Sequence, residues 1–492
     1  MKVKTVFVIF AFLFTGSAFA APKSAKVVGT GDPVSDVQNV QRAVDRYENV
    51  ILSGSFNFGV SSVVIHGRVK IHGETVKAGS PVTTIQGGVN TFYSPAPVPA
   101  PEGEELAPGP VIEIMNIHFD GAQLTPINIG YASGVEIKNT KITNVIPLWG
   151  FQAGIFISTM LNGEVPGAIT GPIAIKDNEI DFTGTDHLGQ SFGVGITYTS
   201  GVTIEVKGNT LRQVPGYSVA IGDLLTYENG NPNGGVEVKN NNISTAFTAP
   251  VAGTFNGAPD GILVGAVFSG KEIRNVSIKG NYIEANGEYS CGIALNMTPK
   301  ATVTSNEIVV KDGHNGAGWI AAGIVCVMSD DAVIAGNHIT IKPSLVSPVA
   351  DWWGGVGILN LSNGGTITRN RITFDESYTE PRHSNGAIAV TGGSGSTISL
   401  NTIEGFGHTA VGIFPPGSNN LIFNNDLENF TSWRADVLFA PGASNNLLVG
   451  EGGTVLDWYL AGEPITESGN VIIGDWDTAV CEATGEFWAY RP

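Results

Sequence analysis

The chain has 492 residues, a formal net charge of −18 and only three cysteines. Such an acidic surface disfavours nucleic acid and anionic membranes as partners, and an odd number of cysteines cannot all pair within the chain. Glycine is abundant, at 65 residues, whereas charged residues make up 14% of the chain. This balance predicts many short strands joined by turns rather than a helical protein.

The first 20 residues have the features of a secretory signal peptide. Lys2 and Lys4 precede an apolar run, and the two small residues Ala18 and Ala20 on either side of Phe19 predict cleavage just before Ala21. No later apolar run is long enough to span a bilayer. The sequence therefore predicts a secreted protein, either extracellular or, in a two-membrane bacterium, periplasmic.

An amphipathic helix is predicted at the start of the segment 35–58. Val37, Val40 and Val44 fall on one helical face, and the segment then continues into a strand. Further along, residues 94–110 read SPAPVPAPEGEELAPGP. Proline at this density favours an extended loop, to which we assign no chemistry.

From residue 134 onward the chain repeats a short phrase in which an asparagine stands two places before an isoleucine or leucine, as in VSIKGNYIEA at 276–285. Consecutive copies lie between 24 residues (401 to 425) and 40 residues (241 to 281) apart, and a weaker copy has Thr140 in the same place. A second phrase, Gly-Ile followed by alternating apolar residues, falls between the asparagines, for example GIALN at 292–296. The anchored residues are Asn178, Asn209, Asn241, Asn281, Asn306, Asn337, Asn370, Asn401 and Asn425.

A repeat of this length with strand periodicity predicts one coil per unit. Like strands of successive coils stack about 4.8 Å apart, so each asparagine lands beside its counterpart in the next coil. Because a side-chain amide both donates and accepts, the column can bond from coil to coil, and asparagine tolerates the left-handed backbone of a tight turn. We therefore interpret the asparagines as a structural ladder.

The Gly-Ile strand, the short turn and the laddered asparagine resemble those of right-handed parallel β-helix proteins, the pectin-lyase-like superfamily. The resemblance implies an all-β fold: a single-stranded right-handed parallel β-helix, or solenoid, of about twelve coils over residues 21–475. The helix near residue 37 would cap its first coil, and residues 476–492 would form a C-terminal cap or tail. Hydrolases, lyases, epimerases, tailspikes and adhesins share this fold, so it does not define the reaction.

In that superfamily, enzymes generally work in a groove along the sheet formed by the Gly-Ile strands. Here, strict alternation places only uncharged residues on the floor of that groove. The clusters of Asp, Arg and His that mark polygalacturonases, pectate lyases and mannuronan epimerases have no full match in this chain. The predicted floor positions are Phe156, Thr197, Leu263, Ala294, Val325, Leu359 and Ala389.

Polar and aromatic residues gather instead in three long loops that enter successive Gly-Ile strands, at 310–322, 341–355 and 373–386. Stacked coils would bring these loops together as one wall of a cleft. Two carboxylates two coils apart in this wall would have roots roughly 9.6 Å apart, near the ~6.5–9.5 Å of an inverting glycosidase. We predict Asp351 and Asp375, from two successive loops of the wall, as the acid and base.

Other residues of the same wall complete the predicted site. His314 or His383 is the alternative proton carrier, and Arg382 would steady a developing negative charge or a uronate carboxylate. Tryptophan suits the apolar face of a sugar ring, and carboxylates bind its hydroxyls. The predicted binding residues are Trp352, Trp353, Trp319 and Asp312. Asp186, His187 and Asp260 form the alternative location.

Two classes of function remain open. One is an enzyme that acts on a polysaccharide as a hydrolase, lyase or epimerase. The other is a non-catalytic glycan-binding, adhesin or matrix protein that uses the β-helix as a rod. Oxygen-rich turns at 329–331 and 375–376 also predict Ca²⁺ binding of modest affinity, although no complete calcium motif is present.

Overall fold

A computed structural model describes residues 24–75, 81–100, 104, 106–159, 165, 167–185, 190–199, 202–222, 234–246, 260–265, 271–286, 290–311, 321–342, 355–375, 386–432, 435–440, 442–450, 452–457 and 469–478. The predicted signal peptide, 1–20, lies outside these ranges. Among the described residues, no helix is long and apolar enough to cross a membrane.

The predicted amphipathic helix is present as α1 (Pro33–Val44), directly after the first strand. The side chain of Asp32 caps it by accepting a 3.0 Å hydrogen bond from the Ser35 amide. Val40 and Val44 are buried in the same apolar core as the first coils. The helix thus covers the N-terminal end of the strand stack, as the sequence predicts.

The strands form three long sheets. Sheet 1 has 16 strands: β1 (Ser24–Val28), β2 (Asn49–Ser53), β5 (Val69–Gly73), β8 (Val111–Met115), β11 (Gly134–Lys138), β14 (Ile173–Lys176), β17 (Thr203–Lys207), β20 (Gly235–Lys239), β23 (Val276–Lys279), β26 (Thr302–Thr304), β29 (Val333–Ala335), β32 (Thr366–Thr368), β35 (Thr397–Ser399), β38 (Leu421–Phe423), β41 (Leu447–Val449) and β43 (Val471–Ile473). Sheet 2 has 13 strands: β3 (Ser55–Gly59), β6 (Thr83–Gly87), β9 (Ile117–Asp120), β12 (Lys141–Thr143), β15 (Glu179–Asp181), β18 (Thr210–Val214), β21 (Asn242–Thr245), β24 (Tyr282–Ala285), β27 (Glu307–Lys311), β30 (His338–Lys342), β33 (Arg371–Phe374), β36 (Thr402–Gly407) and β39 (Phe430–Ser432). Sheet 3 has 15 strands: β4 (Val63–Val64), β7 (Asn90–Ser94), β10 (Thr125–Ile129), β13 (Phe151–Ser158), β16 (Gln190–Thr197), β19 (Tyr217–Gly222), β22 (Ile262–Gly265), β25 (Cys291–Asn296), β28 (Ala322–Val327), β31 (Val356–Leu361), β34 (Gly386–Thr391), β37 (Thr409–Phe414), β40 (Val437–Phe439), β42 (Thr454–Asp457) and β44 (Asp477–Thr478).

Each coil passes through sheets 1, 2 and 3 in turn, and each strand pairs in parallel with its counterparts in the adjacent coils. In the part of the chain that the structure describes, the 13 strands of sheet 2 define 13 complete coils, close to the predicted twelve. One continuous apolar core fills the interior between the three sheets. The chain is therefore a right-handed parallel β-helix, the hand that parallel crossover connections adopt.

The asparagine ladder runs as predicted along the turn between sheets 1 and 2, from Thr140 to Asn425. At Asn337, the side-chain Oδ1 accepts from both the backbone amide and the Nδ2 of Asn306 at 3.0 Å. Its own Nδ2 donates to Asn370 Oδ1 and to the Val303 carbonyl, both at 2.9 Å. Because this side chain is 1% exposed, the ladder satisfies polar groups that water cannot reach.

The residue before each laddered asparagine adopts a left-handed backbone. Its φ is 64° at Gly336, 53° at Arg369 and 58° at Leu400. This geometry turns the chain sharply from sheet 1 into sheet 2 and aims the following asparagine inward. The turn explains why glycine and asparagine so often precede the laddered residue, since both tolerate a positive φ.

A second, shorter ladder was missed at the sequence level. Asn420, Asn446 and Asn470 lie at the turn between sheets 3 and 1, and each of the first two donates from Nδ2 to the next at 3.0 Å. Its signal is the stretch SNN at 418–420 and 444–446. Toward the C-terminal end the asparagine ladder therefore lies at the turn between sheets 3 and 1, and β39 is the last strand of sheet 2 among the described residues.

The glycine of the Gly-Ile phrase marks the corner between sheets 2 and 3. A Cβ added at Gly292 would lie 2.4 Å from Ile308 Cγ2 and 2.6 Å from the Gly323 carbonyl oxygen. Equivalent clashes with core isoleucines occur at Gly261 and Gly323. Because glycine and the following isoleucine both face the core, the simple alternation breaks here, and the residue before the glycine faces outward.

Candidate functional site

The strands that flank the three predicted wall loops are stacked as the sequence predicts. In sheet 2, β27 pairs with β30 and β30 with β33, and in sheet 3, β28 pairs with β31 and β31 with β34. The loops that join these strands contain residues outside the described ranges. These include Asp312, His314, Trp319, Asp351, Trp352, Trp353, Arg382 and His383, whose predicted roles stay predictions.

Asp375 is the one predicted catalytic residue of the wall that the described ranges contain. It follows β33 directly, is half-buried, and donates its backbone amide to the Ile341 carbonyl at 2.9 Å. It therefore leaves the coil at the edge of sheet 2, where the 373–386 loop begins. Its distance from Asp351 is outside what the structure describes.

The floor of the outer face of sheet 3 is apolar, as predicted, but it differs from the prediction at two positions: Gly195 takes the place of Thr197, and Ala220 of β19 is an additional member. Phe156 pairs with Gly195, and not with Thr197, which pairs with Ser158. The shift by two residues arises because Ile157, and not Ile155, is the partner of Ile196. The floor column through the successive coils reads Phe156, Gly195, Ala220, Leu263, Ala294, Val325, Leu359 and Ala389.

A second outward column runs beside this floor, formed by the residues just before the corner position. Phe192 pairs with Tyr217, and Cys291 pairs with Ala322. Between them, the Asp260 carbonyl accepts from the Ser218 amide, and the Gly261 amide donates to the Cys291 carbonyl, each at 2.9 Å. Asp260 therefore lies between Tyr217 and Cys291, and the outer face carries a carboxyl group that strict alternation did not predict.

Four aromatic side chains form a cluster outside sheet 3, separate from the main core. We name Phe151, Phe156, Phe192 and Tyr217 the outer aromatic cluster. Ring centroids of Phe151 and Phe156 are 5.1 Å apart in an edge-to-face arrangement, and Phe192 stacks on Tyr217 at 5.7 Å. Phe151 and Tyr217 are partly exposed, so the cluster presents aromatic surface to solvent.

Asp260 lies beside this cluster, in the coil that follows Tyr217. The carboxyl is 6% exposed, and its Oδ1 accepts a 2.9 Å hydrogen bond from the Cys291 amide. Burial raises the pKa of Asp260 to about 7, and the hydrogen bonds from Cys291 offset only part of this effect. A carboxyl with such a pKa can give or accept a proton near neutral pH, which is a frequent property of functional sites.

Burial also shifts the pKa values of the two neighbours of Asp260, Cys291 and Tyr217. Burial is the main cause that raises the pKa of the Cys291 thiol well above its usual value, and the Asp260 charge adds to it. Burial likewise raises the pKa of the Tyr217 phenol, again with a contribution from Asp260. Both groups are therefore protonated at neutral pH, and each can donate a hydrogen bond.

A tight turn at residues 148–151 lies at the entry to β13. The backbone groups of Leu148 and Phe151 exchange two hydrogen bonds of 3.0 Å, so Trp149 and Gly150 are the two loop residues. Both have a positive φ, 53° and 77°. The Trp149 side chain is 85% exposed. We name residues 148–151 the Trp149 turn; it connects sheet 2 to sheet 3 and so occupies the same edge as the predicted wall loops.

The described residues contain no group of three or more His, Cys, Asp or Glu side chains that could hold a metal ion. In the turn proposed for Ca²⁺, Ser329 Oγ accepts from the Thr298 amide, and Asp330 Oδ1 accepts from the Asn363 amide at 2.8 Å. These oxygens therefore join one coil to the next. Glu376 of the second proposed turn lies outside the described ranges.

A cavity of about 440 Å³ opens at the C-terminal end of the coil stack, away from the outer aromatic cluster. Core residues such as Val411, Ile422 and Leu448 line it together with Trp476. Within the described ranges, sheets 1 and 3 continue past β39, whereas sheet 2 ends there. The cavity thus lies beside the last described strands of the stack.

No family model matches the chain, and no curated protein matches it. Among solved structures, PfbA, a surface adhesin of Streptococcus pneumoniae, is similar at 14% identity with a TM-score of 0.45 over 85% of this chain and 91% of that chain. The Azotobacter vinelandii mannuronan C-5 epimerase AlgE6 A-module is similar at 14% identity and a TM-score of 0.39, over 92% and 98%. DFA-IIIase from Arthrobacter chlorophenolicus A6, in complex with GF2, is similar at 12% and 0.39, over 82% and 92%. Identities this low carry no information about activity.

Proposed function

We propose that this parallel β-helix, of the pectin-lyase-like fold, is a secreted protein that binds a polysaccharide along the outer face of sheet 3. The proposal depends on one observation above all: the outer aromatic cluster lies on the outside of the sheet, separate from the core. Phe156 and Phe192 are buried, whereas Phe151 and Tyr217 are partly exposed. The two exposed rings offer a flat apolar surface on which a sugar ring can stack.

Polar groups at the same place suit the hydroxyl groups of a sugar. Asp260 and the Tyr217 phenol lie on adjacent coils, and Ser158 and Thr197 join their hydroxyls at 2.7 Å on the other side of the floor. A chain of sugars that runs parallel to the coil axis would meet a new coil about every 4.8 Å. The binding face would extend from β13 to β25.

Charge favours a sugar over other extended polymers. With a net charge of −18, which includes the Asp260 carboxyl of the outer face, the protein repels nucleic acid. An apolar peptide would fit the floor but would leave Asp260 without a hydroxyl partner.

Catalysis is the second candidate function, and the pKa of Asp260 near 7 favours it. A carboxyl that is partly protonated near neutral pH can serve as a general acid. Glycoside hydrolysis usually needs two carboxyl groups, so Asp260 would need a partner from the loop edge. The earlier pair, Asp351 and Asp375, remains the proposed alternative, and hydrolysis, elimination and epimerisation remain open.

A screen over soluble polysaccharides tests both candidates. Affinity electrophoresis in gels that contain each polysaccharide reports binding, and assays for reducing ends and unsaturated products report cleavage. We expect retardation by at least one polysaccharide. Retardation without product supports the binding function, and product release supports the enzyme. No retardation and no product across neutral and acidic polysaccharides would contradict the proposal.

A further inference from the structure

The Trp149 turn has a conformation that its sequence makes costly. Both loop residues have a positive φ, a geometry that Asn-Gly provides at little cost and that a bulky residue avoids. The partners Leu148 and Phe151 hold the turn closed through two backbone hydrogen bonds. The conformation of the turn therefore does not explain why residue 149 is a tryptophan.

Burial does not explain the residue either. Trp149 is 85% exposed, so its large ring gains little by folding. Two residues later, Phe151 packs 5.1 Å from Phe156 in the outer aromatic cluster. The turn is thus fixed to the cluster by Phe151, while the Trp149 ring extends beyond it into solvent. Strained, exposed aromatic residues of this kind are found where a ligand is held.

We infer that Trp149 stacks on a sugar ring and forms the first contact of the binding face, and that the ligand is a neutral polysaccharide. This inference rests on the proposed function. The indole offers a flat apolar face with one N–H donor at its edge, which suits a ring that carries C–H groups on one side and hydroxyls around it. From Trp149 the chain of sugars would pass over Phe151 and Tyr217 toward Asp260.

The neutral character of the ligand follows from charge. Above pH 7 the Asp260 carboxyl is ionised, and it would repel a uronate at the far end of the face. The acidity of the whole protein acts in the same direction. We therefore expect neutral chains such as a β-glucan, a mannan, a xylan or a fructan to bind more tightly than polygalacturonate.

Trp149→Gly and Trp149→Phe separate this role from a structural one. Glycine removes the ring and suits the positive φ, so the melting temperature of Trp149→Gly should equal or exceed that of the parent. Phenylalanine keeps a ring and should retain part of the affinity. Met328→Gly is the matched control, because Met328 is also exposed, at 57%, with a positive φ of 47°.

Isothermal titration calorimetry with the neutral polysaccharides above and with polygalacturonate gives the readout. We expect Trp149→Gly to weaken neutral binding at least about tenfold, Trp149→Phe to weaken it less, and Met328→Gly to bind like the parent. If Trp149→Gly binds like the parent while Tyr217→Ala loses affinity, this inference is wrong and the proposed site stands. If neither Trp149→Gly nor Tyr217→Ala changes the affinity, both this inference and the proposed site are wrong. A melting temperature of Trp149→Gly below that of the parent also overturns the inference. So does a parent protein that binds polygalacturonate more tightly than it binds the neutral polysaccharides.

Discussion

The backbone amide of Cys291 donates a 2.9 Å hydrogen bond to the Oδ1 of Asp260, which lies one coil earlier on the outer face of sheet 3. This bond holds a buried carboxyl beside the outer aromatic cluster. It is also a link between adjacent coils, so the protonation state of Asp260 bears on stability and, under the proposed function, on ligand binding.

Asp260 should make the protein less stable as the pH rises. Its pKa is raised from 3.8 to about 7, so the folded state holds the proton more tightly than the unfolded state. The free energy of unfolding should therefore fall between about pH 4 and pH 7, by on the order of 3–4 kcal/mol from this group, and then level off. Chemical denaturation of the parent and of Asp260→Asn across this range measures the effect.

Asp260→Asn keeps an oxygen acceptor for the Cys291 amide and cannot ionise. The difference in stability between Asp260→Asn and the parent should grow with pH from 4 to 7 in favour of the variant. Glu307→Gln, at an exposed position of β27, serves as the control and should show no such trend. Parallel pH curves for the parent and Asp260→Asn would show that Asp260 does not titrate in this range.

Asn337→Ala should destabilise the fold through the ladder. The substitution removes four side-chain hydrogen bonds, and the Asn306 amide and the Val303 carbonyl lose these partners. The Asn337 backbone amide still donates to Asn370 Oδ1. We expect a loss of about 3 kcal/mol in the free energy of unfolding, measured by urea titration. Asn242→Ala, at an exposed position of β21, should change it by less than about 0.5 kcal/mol. Equal effects of the two substitutions would contradict the ladder.

Gly292→Ala should destabilise the corner between sheets 2 and 3. The new methyl group would lie 2.4 Å from Ile308 Cγ2 and 2.6 Å from a backbone carbonyl oxygen, and the backbone cannot easily yield. We expect a loss of about 1–3 kcal/mol by urea titration. Gly67→Ala is the control, since nothing lies within 4 Å of its Cβ. An unchanged stability of Gly292→Ala would show that the corner has room to adjust.

If the protein is an enzyme, the predicted wall pair and Asp260 can be told apart. Asp351→Asn and Asp375→Asn should abolish turnover and leave binding nearly unchanged if chemistry occurs at the wall. Asp260→Asn should abolish it if chemistry occurs at the outer aromatic cluster. Rates of product release with matched binding constants distinguish the two sites, and full activity of all three variants would exclude both.

The repeat made most of the fold predictable. The position of Asn337 and its counterparts established the coil, because one residue type at one place in every unit has a single structural use. The second ladder at Asn420 was missed because its SNN signal spans few coils. The sequence predicts Asp260 only as part of the alternative location. Its position on the outer face depends on Gly261, where alternation fails because the backbone bends around a corner that only glycine allows.

The proposed site was less predictable than the fold. Trp149 occurs once, in a loop without a repeated context, and its exposure depends on a turn that the residue types Leu-Trp-Gly-Phe do not favour. Phe151 and Phe192 lie 41 positions apart in sequence and meet only because their coils stack. The loops at 310–322, 341–355 and 373–386 contain Asp, His, Arg and Trp residues, which are typical of sugar-binding and catalytic sites. The sequence therefore predicts the site at these later coils.

The most direct test of the account measures binding at the outer aromatic cluster. The affinity of the best polysaccharide from the screen is determined by isothermal titration calorimetry for the parent, for Tyr217→Ala and for Tyr282→Ala, which removes a half-buried tyrosine from β24 in sheet 2. The account predicts that Tyr217→Ala weakens binding at least about tenfold, or 1.4 kcal/mol, and that Tyr282→Ala binds like the parent. Equal affinities for the parent and Tyr217→Ala would contradict it.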